Sequence, residues 1–206
     1  MITETDTSTE EKIKNAARIV FTAKGFAATR TRDIADAAGI NLALLNYYFG
    51  SKEKLFKLIM QESMLQFLSV IGKVVNDEKL SLLEKVTRVV EEYINMFKAN
   101  PDLPFFVVTE VRNRPEEFAS QMGFKSLLRE SHLFRQLQKK AGKEIDPVHF
   151  LLNILSLTAF PFLAGPVFRI INGLSDEAYL TLLEERKKLI PIWIESILNT
   201  DYSRIQ

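Results

Sequence analysis

Apolar residues recur at helical spacing along almost the whole chain of 206 residues, and no segment alternates strictly between apolar and polar positions over the length of a strand. This pattern predicts an all-α protein of about nine helices. The first helix is expected to begin at the capping-box pattern of Ser8 and Glu11. It should end at Gly25, because glycine readily adopts the positive φ that many helix ends require.

Capping residues, glycines and prolines predict the remaining helices. Ser51 opens a long helix, residues 51–75, whose two apolar stripes indicate two different packing partners. Ser81 and Glu84 form a second capping-box pattern, and the helix that they begin should stop before Pro101. After a short helix, we expect one continuous helix at 115–142, another at 147–173 that Asp146 caps, and a last helix at 175–199.

One segment, residues 150–168, carries no charge and approaches the length that spans a bilayer. Polar residues and prolines inside it, and the lack of a basic belt at its ends, argue against a span. A membrane helix remains the alternative to a buried helix or a subunit interface. We expect kinks at Pro161 and Pro166, and in the last helix at Pro191, because proline removes a backbone donor and clashes with the preceding turn.

The segment 29–55 predicts two short helices joined by a tight turn. Thr31 can cap a helix that ends at Ala38, Gly39 can supply a positive φ, and Asn41 can cap a second helix that reaches Phe49. The apolar positions of this segment are spaced to form a core shared with the first helix: Ile34, Ala35, Ala38, Ile40, Leu45 and Tyr48. A three-helix unit of this kind can place its last helix in the major groove of DNA.

The charge is distributed unevenly although the whole chain has a formal net charge of only +1. Residues 12–54 contain eight basic and three acidic side chains, a net charge of +5 for that segment. Such a concentration suits a polyanionic partner, but a charged surface is also what any solvated helix presents.

Composition excludes several classes of protein. A chain with 47% hydrophobic and 26% charged residues is typical of a soluble globular protein. It has no cysteine, which excludes disulfides, thiolate metal sites and cysteine nucleophiles. The first twelve residues are acidic and rich in hydroxyl groups, unlike a signal peptide, so we expect a cytoplasmic protein.

The segment GFAATRTRDIADAAGINLALLNYYFGSKEKLF, residues 25–56, resembles the tetracycline-repressor (TetR) family of bacterial transcriptional regulators. The matching features are the glycine and aromatic residue that end the first helix, Arg-Asp-Ile-Ala in the second, Ala-Gly at the turn, and Tyr-Phe-Gly-Ser-Lys-Glu before the fourth. The resemblance covers about a quarter of the chain. The remainder resembles the family only in its length and its helical pattern. Asn46 departs from the family, which often has an aromatic residue at that position.

The resemblance implies a helix-turn-helix DNA-binding domain at 1–50 and a ligand-binding and dimerisation domain at 51–206. It further implies a repressor that binds a palindromic operator of double-stranded DNA as a homodimer. A small, apolar effector of unknown identity would release it. The expected mechanism is linkage, in which the effector favours a spacing of the two DNA-binding heads that does not match successive major grooves.

By resemblance, the recognition helix would present Leu42, Ala43 and Asn46 to base edges. The amide of Asn46 could pair with adenine, while the two apolar residues could meet thymine methyl groups. Backbone phosphates would be held by other residues, which complete a DNA-binding set of Thr31, Arg32, Asn41, Leu42, Ala43, Asn46, Tyr47 and Lys52. Each also has a plain structural interpretation, with Asn46 as a solvated polar residue, Tyr47 as a packing aromatic and Lys52 as part of an ordinary first helical turn.

By resemblance, the last two helices would form the dimer interface. Their apolar residues fit a four-helix contact, and the expected interface residues are Phe150, Ile154, Leu183, Ile190, Trp193 and Ile197. Phenylalanine is frequent in the central helices, which fits either an effector pocket or a core rich in phenylalanine. The pocket interpretation assigns Phe67, Tyr93, Phe97, Phe106, Glu110 and Phe124, and the more ordinary role of Glu110 is a pair with Arg112 or Arg114.

An enzyme is the competing class, but the sequence supports it poorly. His132 and His149 are the only histidines, and the sequence has neither a metal-binding histidine pair nor a glycine-rich phosphate loop nor a nucleophile elbow. We therefore expect no catalytic site, no metal and no cofactor. A helical carrier of small molecules or lipids, without a DNA function, is the other alternative, and it would leave Asn46, Tyr47 and Lys52 unexplained.

Overall fold

A computed structural model describes residues 4–141 and 145–201, with side chains from residue 8 onward in those ranges. These residues form helices and turns without a strand, which confirms the all-α prediction. Eleven helices occur in the described ranges: α1 Glu4–Ala28, α2 Thr31–Ala38, α3 Leu42–Phe49, α4 Lys52–Asn76, α5 Leu82–Ala99, α6 Leu103–Asn113, α7 Pro115–Gln121, α8 Phe124–Arg129, α9 His132–Ala141, α10 Val148–Asn172 and α11 Asp176–Leu198.

Helices α1, α2 and α3 form a small unit, which we call the head. Ile34 and Ala35 of α2 and Leu45 of α3 are buried, and they pack with Ile13 and Ala17 of α1. The turn between α2 and α3 contains Gly39 at φ 64° and ψ 39°, as its glycine predicts. The expected shared core is confirmed.

Helix α1 differs from the prediction at both ends. It begins at Glu4, so Ser8 lies inside the helix and does not cap it. At Gly25 the backbone is non-helical, with φ 75° and ψ 160°, yet helical structure resumes and continues to Ala28. The glycine therefore bends the helix where we expected it to end.

Helix α4 joins the head to the rest of the chain, which we call the body. Glu62 of α4 bonds to Lys14 at 2.8 Å and to Arg18 at 2.5 Å, both on α1. Farther along α4, the ring of Phe67 lies 4.5 Å from that of Tyr93 on α5. The two apolar stripes of this helix therefore do serve two packing partners.

The helix predicted at 115–142 is instead three helices, α7, α8 and α9. Gly123 adopts φ 64° and ψ 28° after α7, and a second break follows α8. At that break the hydroxyl of Ser131 accepts a hydrogen bond from the Phe134 N–H at 3.2 Å. The predicted end of this helix, Gly142, lies outside the described residues.

Helix α10 remains helical through Pro161 and Pro166 and ends at Gly173 in the left-handed conformation, as expected. The helix begins at Val148, one residue after the predicted Pro147, and Asp146 accepts a hydrogen bond from the Val148 N–H at 2.9 Å as a helix cap does. Proline at 161 leaves the carbonyl of Leu157 without its helical donor. Arg186 of α11 replaces that donor, with 2.7 Å between Nη2 and the carbonyl oxygen.

Lys85 on α5 is completely buried, which is uncommon for a charged residue. Its ammonium group donates to Nδ1 of His132 and to Oε1 of Gln136, both on α9. Burial lowers the pKa of Lys85 below its usual value, and the nearby Asp77 and Glu78 oppose part of that shift. These contacts tie α5 to α9.

Two helices, α4 and α10, are long and apolar enough to cross a membrane by length and composition alone. The buried residues of α4 pack in the core of the chain, and so do Phe150 and Ile154 of α10. Core helices of soluble proteins pass the same test. The apolar composition of residues 150–168 therefore has two origins. Residues on one face pack in the core, and residues on another face form an exposed apolar surface.

We predict that Gly25→Ala lowers the free energy of unfolding by about 1–3 kcal/mol, because its φ and ψ are accessible almost only to glycine. The matched control is Gly72→Ala, where a new methyl group would lie 3.8 Å from Leu127 in an ordinary contact. That variant should be neutral or more stable by up to about 1 kcal/mol. Urea unfolding of both variants tests the prediction, and equal stability of the two would contradict it.

Candidate nucleic-acid interface

Helix α3 presents a polar and aromatic face to solvent. Its start is capped as predicted, since Oδ1 of Asn41 accepts a hydrogen bond from the Leu44 N–H at 2.8 Å. Ala43 and Asn46 are exposed, Leu42 is half-buried, and Tyr47 is 81% exposed. The buried Leu45 fixes the opposite face of the helix, so these side chains point away from the head.

The start of α2 lies beside this face in sequence and carries exposed cations. Thr31 is the first residue of the helix and not its cap, because the N-cap position is Arg30. The Arg30 N–H donates to Asp33 at 2.9 Å, and this bond, followed by the ion pair with Lys24, holds the pKa of Asp33 below its usual value. Arg32 is exposed to solvent.

Only part of the positive charge in residues 12–54 is free to meet a polyanion. Lys14, Arg18 and Lys24 form salt bridges with acidic residues. Four other basic side chains are exposed and form no salt bridge among the described residues: Lys12, Arg30, Arg32 and Lys54. Arg32 lies in α2, and Arg30 and Lys54 flank α2 and α3 in the sequence.

Lys52 uses two of the three donors of its ammonium group inside the head. Its Nζ donates to the carbonyl oxygens of Phe26 at 3.0 Å and of Thr29 at 2.9 Å. It also lies 4.3 Å from the centre of the Phe26 ring. Its charge therefore holds the end of α1, and the predicted phosphate contact of Lys52 stays a prediction. Lys54, two residues later and exposed, was missed by the sequence analysis.

The residues predicted to line an effector pocket lie in aromatic clusters instead of around one large cavity. Tyr93 stands between Phe67 and Phe97, with ring separations of 4.5 and 5.8 Å. Burial raises the pKa of the Tyr93 hydroxyl well above its usual value. Tyr93 lines an apolar cavity of about 30 Å³ together with residues of α4, α5, α8, α9 and α10.

A second cluster joins α6, α7 and α8. Phe118 lies between Phe106 and Phe124, with ring separations of 6.4 and 5.6 Å. Glu110 accepts a hydrogen bond from Lys57 at 3.0 Å, so its partner is a lysine of α4 and neither of the arginines that we expected. The core interpretation therefore describes these residues better than the pocket interpretation.

Four residues assigned to the dimer interface are buried inside the single chain: Phe150, Ile154, Leu183 and Ile190. A buried side chain cannot also meet a second subunit, so this assignment is corrected for those four. Trp193 is 37% exposed, and Ile197 is partly buried against the core. The same two helices expose other large apolar residues: Leu152, Phe160, Val167, Phe168, Ile170, Ile171, Leu180, Leu189 and Ile192.

A cleft of about 670 Å³ opens between α10 and α11, and no pattern of residues predicted it. Its walls are mainly apolar, with Phe160 and Phe168 among them. Arg186 also lines the cleft, and its guanidinium carbon lies 5.3 Å from the Trp193 ring centre. Tyr179 closes one side by donating its hydroxyl to the Pro161 carbonyl at 2.6 Å.

Residues 13–59 match the family model described as bacterial regulatory proteins, tetR family. Among curated proteins, the chain is 25% identical over 200 residues to YttP of Bacillus subtilis, named as a probable HTH-type transcriptional regulator. That match covers 94% of this chain and 95% of YttP. The HTH-type transcriptional repressor KstR2 of Mycolicibacterium smegmatis is 30% identical over 123 residues, which are 53% of this chain and 60% of KstR2.

Solved structures share the fold at low sequence identity. A TetR/AcrR-family regulator from Thermobifida fusca superposes with a TM-score of 0.63 at 19% identity, covering 88% of this chain and 95% of that one. FadR of Bacillus subtilis, solved with stearoyl-CoA, has a TM-score of 0.60 at 18% identity and covers 88% of this chain and 97% of FadR.

The family model matches the three helices of the head and the first two turns of α4, which are the elements that build the exposed face of α3. YttP extends the likeness over nearly the whole chain, and the solved structures have the same all-helical fold. The head of this chain is therefore similar in sequence to the DNA-binding region of TetR-family regulators, which bind DNA and are not enzymes, and the whole chain shares the fold of such regulators.

Proposed function

We propose that this protein is a repressor that binds a palindromic operator as a homodimer and releases it when a small, apolar effector binds. The observation that carries the proposal is the exposed face of α3, a capped eight-residue helix whose polar Asn46 and aromatic Tyr47 point outward from a packed head. Exposed cations at Arg32 and Lys54 flank that helix in sequence, which supports contact with phosphates.

We assign different functions to the two regions that α4 joins. Residues 1–50 would read DNA, and residues 51–206 would bind the effector and dimerise. Asn46 would contact a base edge, because a planar amide can donate to and accept from adenine. Arg32, Lys54 and Tyr47 would contact the backbone, as would Thr31 and the N-terminal end of α2. Asn41 would act indirectly, by capping the helix that carries these groups.

The dimer would form through the exposed apolar surface of α10 and α11. Ten large apolar residues on these two helices have exposed side chains, and exposed apolar surface of this extent ordinarily contacts another protein. Two-fold symmetry of such a contact would match a palindromic operator. Trp193 lies within this surface, beside the cleft that Arg186 lines.

The effector would bind in the body, at the apolar cavity beside Tyr93. In the present structure its volume is about 30 Å³, which is enough for about one or two water molecules. An effector must therefore separate the helices that line the cavity, and α4 is one of them. Because α4 also carries the head, such a movement would change the position of the DNA-reading helix. A DNA-binding regulator would act in the cytoplasm.

Selection of operator DNA from a random pool, followed by footprinting, tests the central proposal. A two-fold symmetric consensus is expected, with half-sites about one helical turn or a multiple of it apart. Native mass spectrometry of protein purified from its host would then identify a bound effector, whose addition should dissociate the DNA complex. An asymmetric or absent consensus would contradict the operator proposal. Failure of every apolar compound to change operator affinity would contradict only the effector.

We predict that Asn46→Ala lowers affinity for the selected operator by about 1–3 kcal/mol and leaves affinity for random DNA nearly unchanged. The reason is that an amide reads a base edge but offers no net charge to a phosphate. Competition binding assays on both DNAs measure the ratio. An equal loss on both DNAs would show that Asn46 contacts the backbone or supports the fold.

Lys54 and Lys52 make a matched pair, since both lie in the first turn of α4, and among the described residues only Lys52 bonds to other groups of the head, whereas Lys54 is exposed. We predict that Lys54→Ala reduces the slope of log affinity against log salt by about one unit per head, with unchanged stability. Lys52→Ala should instead lower the free energy of unfolding by about 1–3 kcal/mol, because two charged hydrogen bonds are lost. Salt titrations and urea unfolding of both variants separate these roles. A lower stability of Lys54→Ala, or a lower salt slope of Lys52→Ala at unchanged stability, would contradict the assignment.

We predict that Trp193→Glu weakens the homodimer at least about thirtyfold, because it buries a charge in an apolar contact. Ile19→Glu is the control, since Ile19 is 70% exposed on α1, far from this surface in sequence. Sedimentation velocity at micromolar concentration measures both variants against the unmodified protein. A monomeric unmodified protein, or an intact Trp193→Glu dimer, would contradict the proposed interface.

A further inference from the structure

One side chain of the body forms a hydrogen bond to the backbone of the head. Oδ2 of Asp102 accepts a hydrogen bond from the Phe26 N–H at 2.8 Å, between residues that are 76 positions apart. Asp102 occupies the N-cap position of α6, yet its side chain makes no hydrogen bond to that helix. An aspartate at this position ordinarily bonds to the first turn of its own helix. Here the carboxylate is directed to the end of α1.

The bend at Gly25 makes the Phe26 N–H available. In an uninterrupted helix this group would donate to the carbonyl four residues earlier, at Thr22. The non-helical backbone of Gly25, at φ 75° and ψ 160°, breaks that pattern just before Phe26. A side chain at Gly25 would also begin 4.0 Å from the Asp102 carboxylate oxygen. The bend and the carboxylate therefore belong to one local arrangement.

From Phe26 the connection continues to the start of α2. The carbonyl of Phe26 accepts from Lys52, which also donates to the carbonyl of Thr29, two residues before α2 begins. Three hydrogen bonds thus lead from the α5–α6 turn to the segment that enters α2.

Aromatic contacts join the end of α1 to the same parts of the body as these hydrogen bonds. The Phe26 ring lies 4.5 Å from that of Phe56 on α4, and Phe56 lies 6.3 Å from Phe106 on α6. The end of α1 is therefore held by α6 and α4 together, through backbone and side chain alike.

We propose that Asp102 is a positioning residue for DNA binding, through which the α5–α6 turn sets the orientation of α2 and α3 relative to the body. A head held in one orientation loses less conformational freedom when it docks into the major groove. Displacement of the turn would break the Asp102 contact and release the end of α1. The inference deepens the proposed function, on which it rests, because it names the contact by which the body controls the head.

The test compares three full-length variants. Asp102→Ala removes the acceptor, whereas Asp102→Asn keeps an oxygen that can accept the same hydrogen bond. Asp77→Ala is the matched control, because Asp77 also sits in a turn at a helix end but bonds locally, to the Lys79 N–H at 2.9 Å. Amide hydrogen exchange at Phe26 and affinity for a duplex selected by the unmodified protein are measured for each, together with thermal unfolding.

Asp102→Ala should speed exchange at Phe26 and weaken DNA affinity by about three- to tenfold, the size expected for one lost hydrogen bond. Asp102→Asn and Asp77→Ala should stay within about twofold of the unmodified protein in both measurements. Rescue by asparagine would show that the hydrogen bond, and not the charge, positions the head.

Unchanged exchange or unchanged affinity in Asp102→Ala would overturn the proposal. So would an Asp102→Asn variant as impaired as Asp102→Ala, or an affinity loss that merely follows thermal stability in Asp102→Ala and Asp77→Ala alike. The exchange measurement needs no DNA. If the unmodified protein selects no duplex, the operator proposal fails, whereas exchange at Phe26 still decides whether Asp102 holds the end of α1.

Discussion

Two helices of eight residues each are too short to stay folded in water by themselves, so the head of this protein depends on the burial that holds α2 and α3. Ile34 and Leu45 are completely buried, and so is Leu55 in the first turn of α4. The head is thus not independent of α4, although a boundary at residue 50 looks natural in the sequence. Any change in α4 reaches α3 through a shared core.

Local signals in the sequence were enough to predict the head. Asn41 caps α3 and Gly39 forms the turn because capping and positive φ depend on residues within a few positions of each other. One error also has a local cause. Gly123 and Ser131 mark the breaks that divide the helix expected at 115–142, but that prediction used helical periodicity alone and overlooked them. The bend at Gly25 was harder to predict, because the partner of the freed N–H lies 76 residues away.

Tertiary contacts account for the errors in the candidate site. Periodicity identifies an apolar face of a helix, but it does not say whether the same chain or a second one covers that face. Phe150 and Ile190 are covered by the chain itself, while Phe168 and Ile170 on the same helix pair are exposed. The role of Lys52 at the end of α1 was missed for a similar reason, since no pattern in the sequence reveals that two carbonyl groups from α1 and the following turn bind its charge.

The ion pairs within the head also limit how the protein can recognise DNA. Four of the eight basic side chains at 12–54 remain exposed without a salt bridge among the described residues, and each phosphate contact adds about 0.9 to the salt slope. Even if all four met phosphates, the electrostatic attraction of one head would be modest, and a single head would bind random DNA weakly. Two heads at a fixed spacing add their contacts, so a dimer would gain affinity only where both half-sites fit. Rigid placement of each head would then add to selectivity beside the proposed base contacts of α3. The proposed role of Asp102, which bonds to the Phe26 N–H at the bend of α1, would serve that placement.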